Sequence, residues 1–347
     1  MDERVEQYRN GTMITVSIII PIYNVAAYIE RCLQSVIAQS YPALECILVD
    51  DCTPDDSIAI CEHLIARYEG PIHFKILHHN RNRGLSAARN TGTDASSGEY
   101  IYYLDSDDEI TPNCISRLVK ETELNPDVEL VQGNTKPNPF KKGYLYDIGQ
   151  TSLTLVNNHD IRFHAFRIAD SLPVNAWNKL VKRKFLKKNH ITFLEGLIHE
   201  DVLWSFFVYN HLTKLSVIPD VTYIHYITEN SIMTTTSQKR SGYNWAIILN
   251  KISHNITPPH SSLLLYKYSY KSVEWIPLAY STPQYYRCIL PLFMQLFMVP
   301  RKKIAIKYLI FSLLYPFHRG RILKGTTNFL KQAWLDESNR IAHRNKT

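Results

Sequence analysis

The chain has 347 residues, 45% of them hydrophobic, and a formal net charge of +7 at neutral pH. That length can bury one substantial core and a smaller appended region, and the composition is that of a globular chain. Six cysteines, at positions 32, 46, 52, 61, 114 and 288, carry no C-x-x-C pairing, so neither a zinc site nor a disulfide framework is indicated and a reducing cytoplasm fits best.

Met1 to Asn10 is polar and the apolar run from Val16 to Ile22 is short, so no signal peptide is expected. Val16-Ser-Ile-Ile-Ile-Pro21 and Cys46-Ile-Leu-Val-Asp50 are β-branched runs that read as buried parallel strands. Between them, Ile29, Cys32, Leu33, Val36 and Ile37 recur at helical spacing. Ser57 to Tyr68 repeats that pattern. A third strand at Phe74 to His78 precedes a glycine-containing loop and a helix over Arg81 to Ala95, and Tyr100-Ile-Tyr-Tyr-Leu104 is a fourth. The alternation predicts an α/β fold with a parallel, doubly wound sheet flanked by helices.

Beyond Asp127 the pattern shifts to short mixed elements, and from Gly242 onward helical spacing returns, broken at Pro258-Pro259. The expected organisation is a ligand-binding half over 14–130, a second half over 131–236 and a helical C-terminal region over 237–347. The last fifty residues are rich in Arg and Lys interleaved with Leu, Phe and Tyr. Such a surface favours anions, either at a membrane face or as the wetted side of helices packed on the core. The apolar stretches Cys288 to Pro300 and Ile304 to Phe317 fall short of the roughly twenty residues a spanning helix needs. No nucleic-acid partner is expected.

The most informative segment is Asp105-Ser106-Asp107-Asp108, directly after the fourth strand. Sheets of this class place ligands at the C-terminal ends of their strands. Asp105 and Asp107 stand two apart and project to one side in extended geometry, close enough to share a hard cation such as Mg²⁺ or Mn²⁺ that bridges to substrate phosphates. An isolated acidic triplet is otherwise a solvated turn. A calcium loop is excluded, because Ile110 replaces its turn glycine and Ser116 its bidentate glutamate. Dinucleotide redox chemistry is disfavoured too, since Tyr23 to Tyr28 contains no glycine.

Two further loops follow strand ends. Pro21-Ile-Tyr23-Asn24 is one; the other, Asp50 to Ser57, places Asp51 to accept an imide hydrogen, while Asp55 and Asp56 suit helix capping. Asn82 to Asn90 combines a glycine with Arg83 and Arg89, which suits a diphosphate or a base.

These pieces in this order resemble the family 2 glycosyltransferases of the GT-A fold, especially bacterial enzymes that build surface polysaccharides. The resemblance is carried by Val16 to Asn24, Cys32-Leu-Gln-Ser-Val36 with Gln39, Leu48-Val-Asp-Asp51, Gly84-Leu-Ser-Ala-Ala-Arg-Asn90 and Gly98 to Asp108. It implies a nucleotide-sugar donor, a UDP-sugar above all, bound through Pro21, Tyr23, Asn24, Asp51, Arg89, Asp105 and Ser106. Asp107 would ligate Mn²⁺ or Mg²⁺ on the diphosphate. Cys52-Thr53 departs from the family's usual Gly-Ser and makes the turn beside the base bulkier.

The second half matches more sparsely, at Trp177-Asn-Lys-Leu180, Phe193-Leu-Glu-Gly196 and His199-Glu-Asp-Val-Leu-Trp204. The resemblance implies that Asp201 is the base of an inverting transfer to a saccharide or lipid-linked saccharide, with Glu200, Trp177, Asn178 and Lys179 toward the sugars. Two acids at a helix start also complement its dipole, and aromatic side chains also pack cores. Tyr223-Ile-His225-Tyr226 and Asn230-Ser-Ile-Met233 resemble the late strand and loop over the diphosphate, with His225 either a metal or phosphate ligand or a structural residue. The competing reading is a non-catalytic nucleotide-sugar-binding scaffold.

Overall fold

The computed structural model describes residues 13–139, 152–166, 172–227 and 236–256, with single helical positions at 284, 287, 290, 332 and 336. The first strands follow the hydrophobic runs. β1 (Val16–Ile22) and β2 (Leu44–Asp50) are covered on both faces, as the unbroken apolar pattern of a central parallel strand requires. α1 (Ile29–Ile37) buries Ile29, Cys32, Leu33 and Val36, one stripe at helical spacing. α2 (Ser57–Ile65) leads to β3 (His73–His78), whose alternating exposure marks an edge strand.

α3 (Leu85–Ala95) lies close against β1 because Gly92 has no side chain: a Cβ there would run into Ile19. β4 (Tyr100–Tyr103) is wholly buried, and β5 (Glu109–Ile110) and α4 (Cys114–Leu124) follow it. β6 (Leu130–Asn138), β7 (Leu153–Leu155), α5 (Asn158–Phe166), β8 (Lys179–Lys182), α6 (Arg183–Lys188), α7 (Glu200–His211), β9 (Leu215–Tyr226) and α8 (Gln238–Asn255) complete the described elements.

Among the described residues nine strands form one sheet in the order β3-β2-β1-β4-β8-β6-β9-β5, with β7 on β9. The parallel sheet expected from the βα alternation is confined to β3-β2-β1-β4. Beyond β4 the sheet is mixed, because β8 runs antiparallel to both β4 and β6, while β6 and β9 are parallel. The expected α/β sheet flanked by helices is found, continuously parallel over β3-β2-β1-β4 and mixed beyond them.

The chain divides into two compact units. One comprises Met1–Asn157, Asn175–Gly196 and His211–Thr228; the other comprises Asn158–Val174, Leu197–Asn210 and Glu229–Thr347. In the first, side chains from β1, β2, β4, α1 and α4 form one apolar core with Trp177, Leu180 and Tyr223. In the second, Trp204 and Phe206 of α7 are buried, as are Trp245, Ile248 and Leu249 of α8. Cys32, Cys46, Cys61 and Cys114 are buried free thiols, and Cys52 is an exposed one.

No described helix is long and apolar enough to cross a membrane. The basic C-terminal stretches and Asn230-Ser-Ile-Met233 lie outside the described residues.

Candidate active site at the strand ends

The C-terminal ends of β1, β2 and β4 present three loops along one edge of the parallel half-sheet. After β1, Asn24 adopts φ +54°, and its amide donates to Thr53 Oγ1 at 2.8 Å. Asp55 ties the two loops together by accepting from the Ala26 amide (2.7 Å), the Thr53 hydroxyl (2.7 Å) and the Ser57 amide (3.2 Å). Burial alone would push the Asp55 carboxyl up, but these donors outweigh it and hold it below the usual range. Asp55 thus closes the start of α2, whereas Asp56, at the capping position, makes no side-chain cap bond. Pro21 is buried in β1, and Tyr23 presents an exposed ring beside it.

Asp51 is 2% exposed. Its Oδ1 accepts from the Arg83 amide at 2.8 Å and lies 2.6 Å from His79 Nδ1, and its Oδ2 accepts from the Gly84 amide at 2.7 Å. Gly84 needs φ +88° to turn into α3, a conformation that costs a residue without Cβ little. Three donors leave one of a carboxylate's roughly four acceptor directions. Asp51 therefore anchors the 79–84 loop to the end of β2 and retains one direction for a ligand.

In the Asp105–Asp108 turn, Arg89, 1% exposed, donates from Nη2 to Asp105 Oδ1 at 2.7 Å. Ser106 is buried. Asp107 has its carboxyl pushed up to about 7, by burial first and then by the charges of Asp108 and Asp105. Asp108, fully buried, accepts from the Tyr223 hydroxyl (2.6 Å) and the Tyr226 amide (2.7 Å) and meets His225 Nδ1 at 3.1 Å. Burial pushes the His225 imidazole down, but the bond to Asp108 and the charges of Asp108, Asp105 and Asp107 outweigh it, so its pKa lies above the ordinary value.

The crowding of like charges at Asp105, Asp107 and Asp108 is what a divalent cation relieves. Among the described residues no three His, Cys, Asp or Glu side chains converge as a complete ligand set. Asp107 and His225, near enough for their charges to interact, would hold such a cation, which would supply positive charge beside a bound diphosphate. The residues present fit such an ion.

Trp177 stacks on Tyr223 (ring centroids 4.4 Å) and His225 (5.3 Å). Asn178, expected near the sugars, is fully buried at φ +58°, with Nδ2 donating to the Gly133 and Asn134 carbonyls and Oδ1 accepting from Thr222 Oγ1 at 2.6 Å. Lys179 is also fully buried and donates to the Asn175 carbonyl. Both hold backbone. In the second unit, Glu200 and Asp201 occupy the first turn of α7, where carboxylates complement the helix dipole, directly after His199 at φ +64°.

His79, which faces Asp51, lies in no motif, whereas Asp108, bonded to Tyr223 and Tyr226, closes the acidic run already legible in the sequence.

The sequence pattern of the "Glycosyl transferase family 2" matches residues 17–176, and that of "Glycosyl transferase family group 2" matches residues 100–317. The uncharacterized glycosyltransferase YibD of Escherichia coli is 27% identical over 239 residues, 66% of each chain. The succinoglycan biosynthesis protein ExoO of Rhizobium meliloti is 28% identical over 226 residues, 62% of each chain. The match thus spans just under two thirds of these relatives. The crystal structure of S. aureus TarS 1-349 in complex with UDP-GlcNAc shares the fold with a TM-score of 0.69 at 19% identity, covering 92% of this chain and 91% of that one.

Proposed function

Because the chain belongs to the family 2 glycosyltransferases, we propose that it is an inverting, metal-dependent transferase that moves a hexose or N-acetylhexosamine from a nucleotide diphosphate donor, a UDP-sugar, to a saccharide or lipid-linked saccharide. The observation that carries this reading is the placement of Asp51 after β2 and of Asp105 and Asp107 after β4, at the C-terminal strand ends of one parallel half-sheet, with Arg89 of α3 bonded to Asp105, where such folds take nucleotides. The name of ExoO, a succinoglycan biosynthesis protein, supports a polysaccharide as the product class; synthesis at the cytoplasmic face of the membrane is part of the proposal.

In this reading the remaining acceptor direction of Asp51 takes the imide hydrogen of the base, with Pro21, Tyr23 and Asn24 beside the ring. Asp105, oriented by Arg89, meets the ribose, and Ser106 lies next to it. Asp107 and His225 would hold Mn²⁺ or Mg²⁺, which would offset the charge of the diphosphate leaving group. Trp177 backs the sugar pocket, and Asn178 and Lys179 act by fixing its walls.

Asp201 takes the proton of the acceptor hydroxyl as that oxygen bonds to C1 and the C1–diphosphate bond breaks on the opposite face. Glu200 supports the acceptor. This assignment rests on the match of His199 to Trp204 to the family's base segment.

The test is calorimetric binding of UDP, GDP and CDP with and without Mn²⁺. Manganese-dependent UDP binding is the expected result. Absence of binding to all three would sink the donor assignment and favour a scaffold without transfer activity.

A further inference from the structure

We propose that Arg31 is a positioning residue that fixes the peptide plane between Asp107 and Asp108 and so sets the direction of the Asp107 carboxylate; the inference rests on the reading of Asp107 as the cation-holding group. Arg31 sits in the first turn of α1, 76 residues from the acidic turn. Its Nη2 donates to the Asp107 carbonyl oxygen at 2.6 Å. The other end of the same peptide plane is also held: the Asp108 amide donates to the Asp105 carbonyl at 3.1 Å. A plane gripped at both its oxygen and its hydrogen is held against rotation about the Asp107 Cα–C bond, which restrains ψ there and so the directions open to the Asp107 side chain.

The guanidinium is itself fixed. Its Nε forms an ion pair with Glu109 Oε1 at 2.9 Å without hydrogen-bond geometry, and its carbon lies 3.5 Å from the centroid of the Tyr226 ring. The Tyr226 hydroxyl donates to the same Glu109 oxygen at 2.8 Å, and the Tyr226 amide donates to Asp108. Arg31, Glu109, Tyr226 and the turn therefore close a ring of contacts. Asp108 is tied to β9 on one side and Asp107 to α1 on the other. Such a brace is needed because three neighbouring carboxylates repel one another and would otherwise splay the turn.

Only arginine suits the position. A planar fork can serve a carbonyl, a carboxylate and an aromatic face together, whereas the compact ammonium of lysine meets one of them well.

The test compares the parent chain with Arg31→Ala and Arg31→Lys by amide hydrogen exchange and by calorimetry of UDP with and without Mn²⁺. Arg31→Ala is expected to speed exchange at the Asp108 amide while leaving the amides of β1 and β2 unchanged. The enhancement of UDP affinity by Mn²⁺ should fall about tenfold, the loss of one charge-assisted bond, with metal-free affinity held within about twofold. Arg31→Lys should lie between. Unchanged exchange at Asp108, or equally faster exchange throughout the unit, would overturn the proposal. If exchange at Asp108 quickens but the parent chain shows no Mn²⁺ enhancement, the brace stands and the cation reading falls.

Discussion

His79 Nδ1 lies 2.6 Å from Asp51 Oδ1, and His79 Nε2 lies 2.9 Å from Thr91 Oγ1. One ring nitrogen meets the carboxylate and the other the threonine hydroxyl on α3, which fixes both the imidazole and the carboxylate it faces. Both side chains are almost fully withdrawn from solvent. If Asp51 reads the base, His79→Ala should weaken UDP binding about tenfold through loss of a charge-assisted bond. His79→Asn, which keeps a donor, should recover part of it. Calorimetry on the two variants checks this, and equal loss in both would count against orientation by the His79 bond.

The Asp107 carboxyl, pushed up to about 7 by burial and by Asp108 and Asp105, must be ionised to hold a cation. Above pH 7 it is already charged, and below pH 7 a proton competes. Mn²⁺-dependent nucleotide affinity is therefore expected to fall by about tenfold per pH unit once the pH drops below about 7, where the group is protonated in the free protein and must lose that proton to hold the cation. Asp107→Asn should abolish the metal-dependent increment and with it this slope. A pH series of titrations from 5 to 8 checks both, and an affinity flat across that range would contradict the assignment.

Asn178 is a structural staple. Its amide and carbonyl satisfy β6 at Gly133 and Asn134, Thr222 on β9 and the Tyr102 hydroxyl on β4, all within the core. Truncation to alanine would leave these buried partners unsatisfied, at a cost of about 2–4 kcal/mol. Asn178→Gly relaxes φ +58° but loses the same bonds, so it should be destabilised as well. Urea unfolding curves check this. A change below about 1 kcal/mol in both would mean that water replaces the lost bonds.

What the sequence disclosed and what it withheld follow from the range of the interactions. β1 to β4 and their helices were legible because each is defined by a local apolar period, and the ligand edge followed from the acids that end those strands. The antiparallel entry of β8 between β4 and β6 was not legible, since strand order depends on contacts such as Tyr102 opposite Leu180, far apart in the chain. Side-chain roles divide in the same way. Asp105 and Arg89 each lay in a motif, but their ion pair, like the bond of Arg31 to the acidic turn, became visible only in three dimensions. Asn178 and Lys179 stand in a family motif, and only the fold shows that both are fully buried and hydrogen-bonded within the protein, among others to backbone carbonyls.

The transfer step itself bears on Asp201. Replacing its carboxylate by an amide keeps the size and the place in the first turn of α7 but removes the capacity to accept a proton. Asp201→Asn should therefore cut turnover by about 10²–10⁴-fold, the usual contribution of a general base, while donor affinity changes little. The neighbouring Glu200→Gln serves as the comparison, because an acid that supports the acceptor changes acceptor affinity and not the proton transfer itself. Single-turnover assays with UDP-sugars, run beside calorimetry of the donor, separate the two. Full turnover in Asp201→Asn would remove the base assignment, and a parallel loss of donor binding would place Asp201 in the nucleotide site instead.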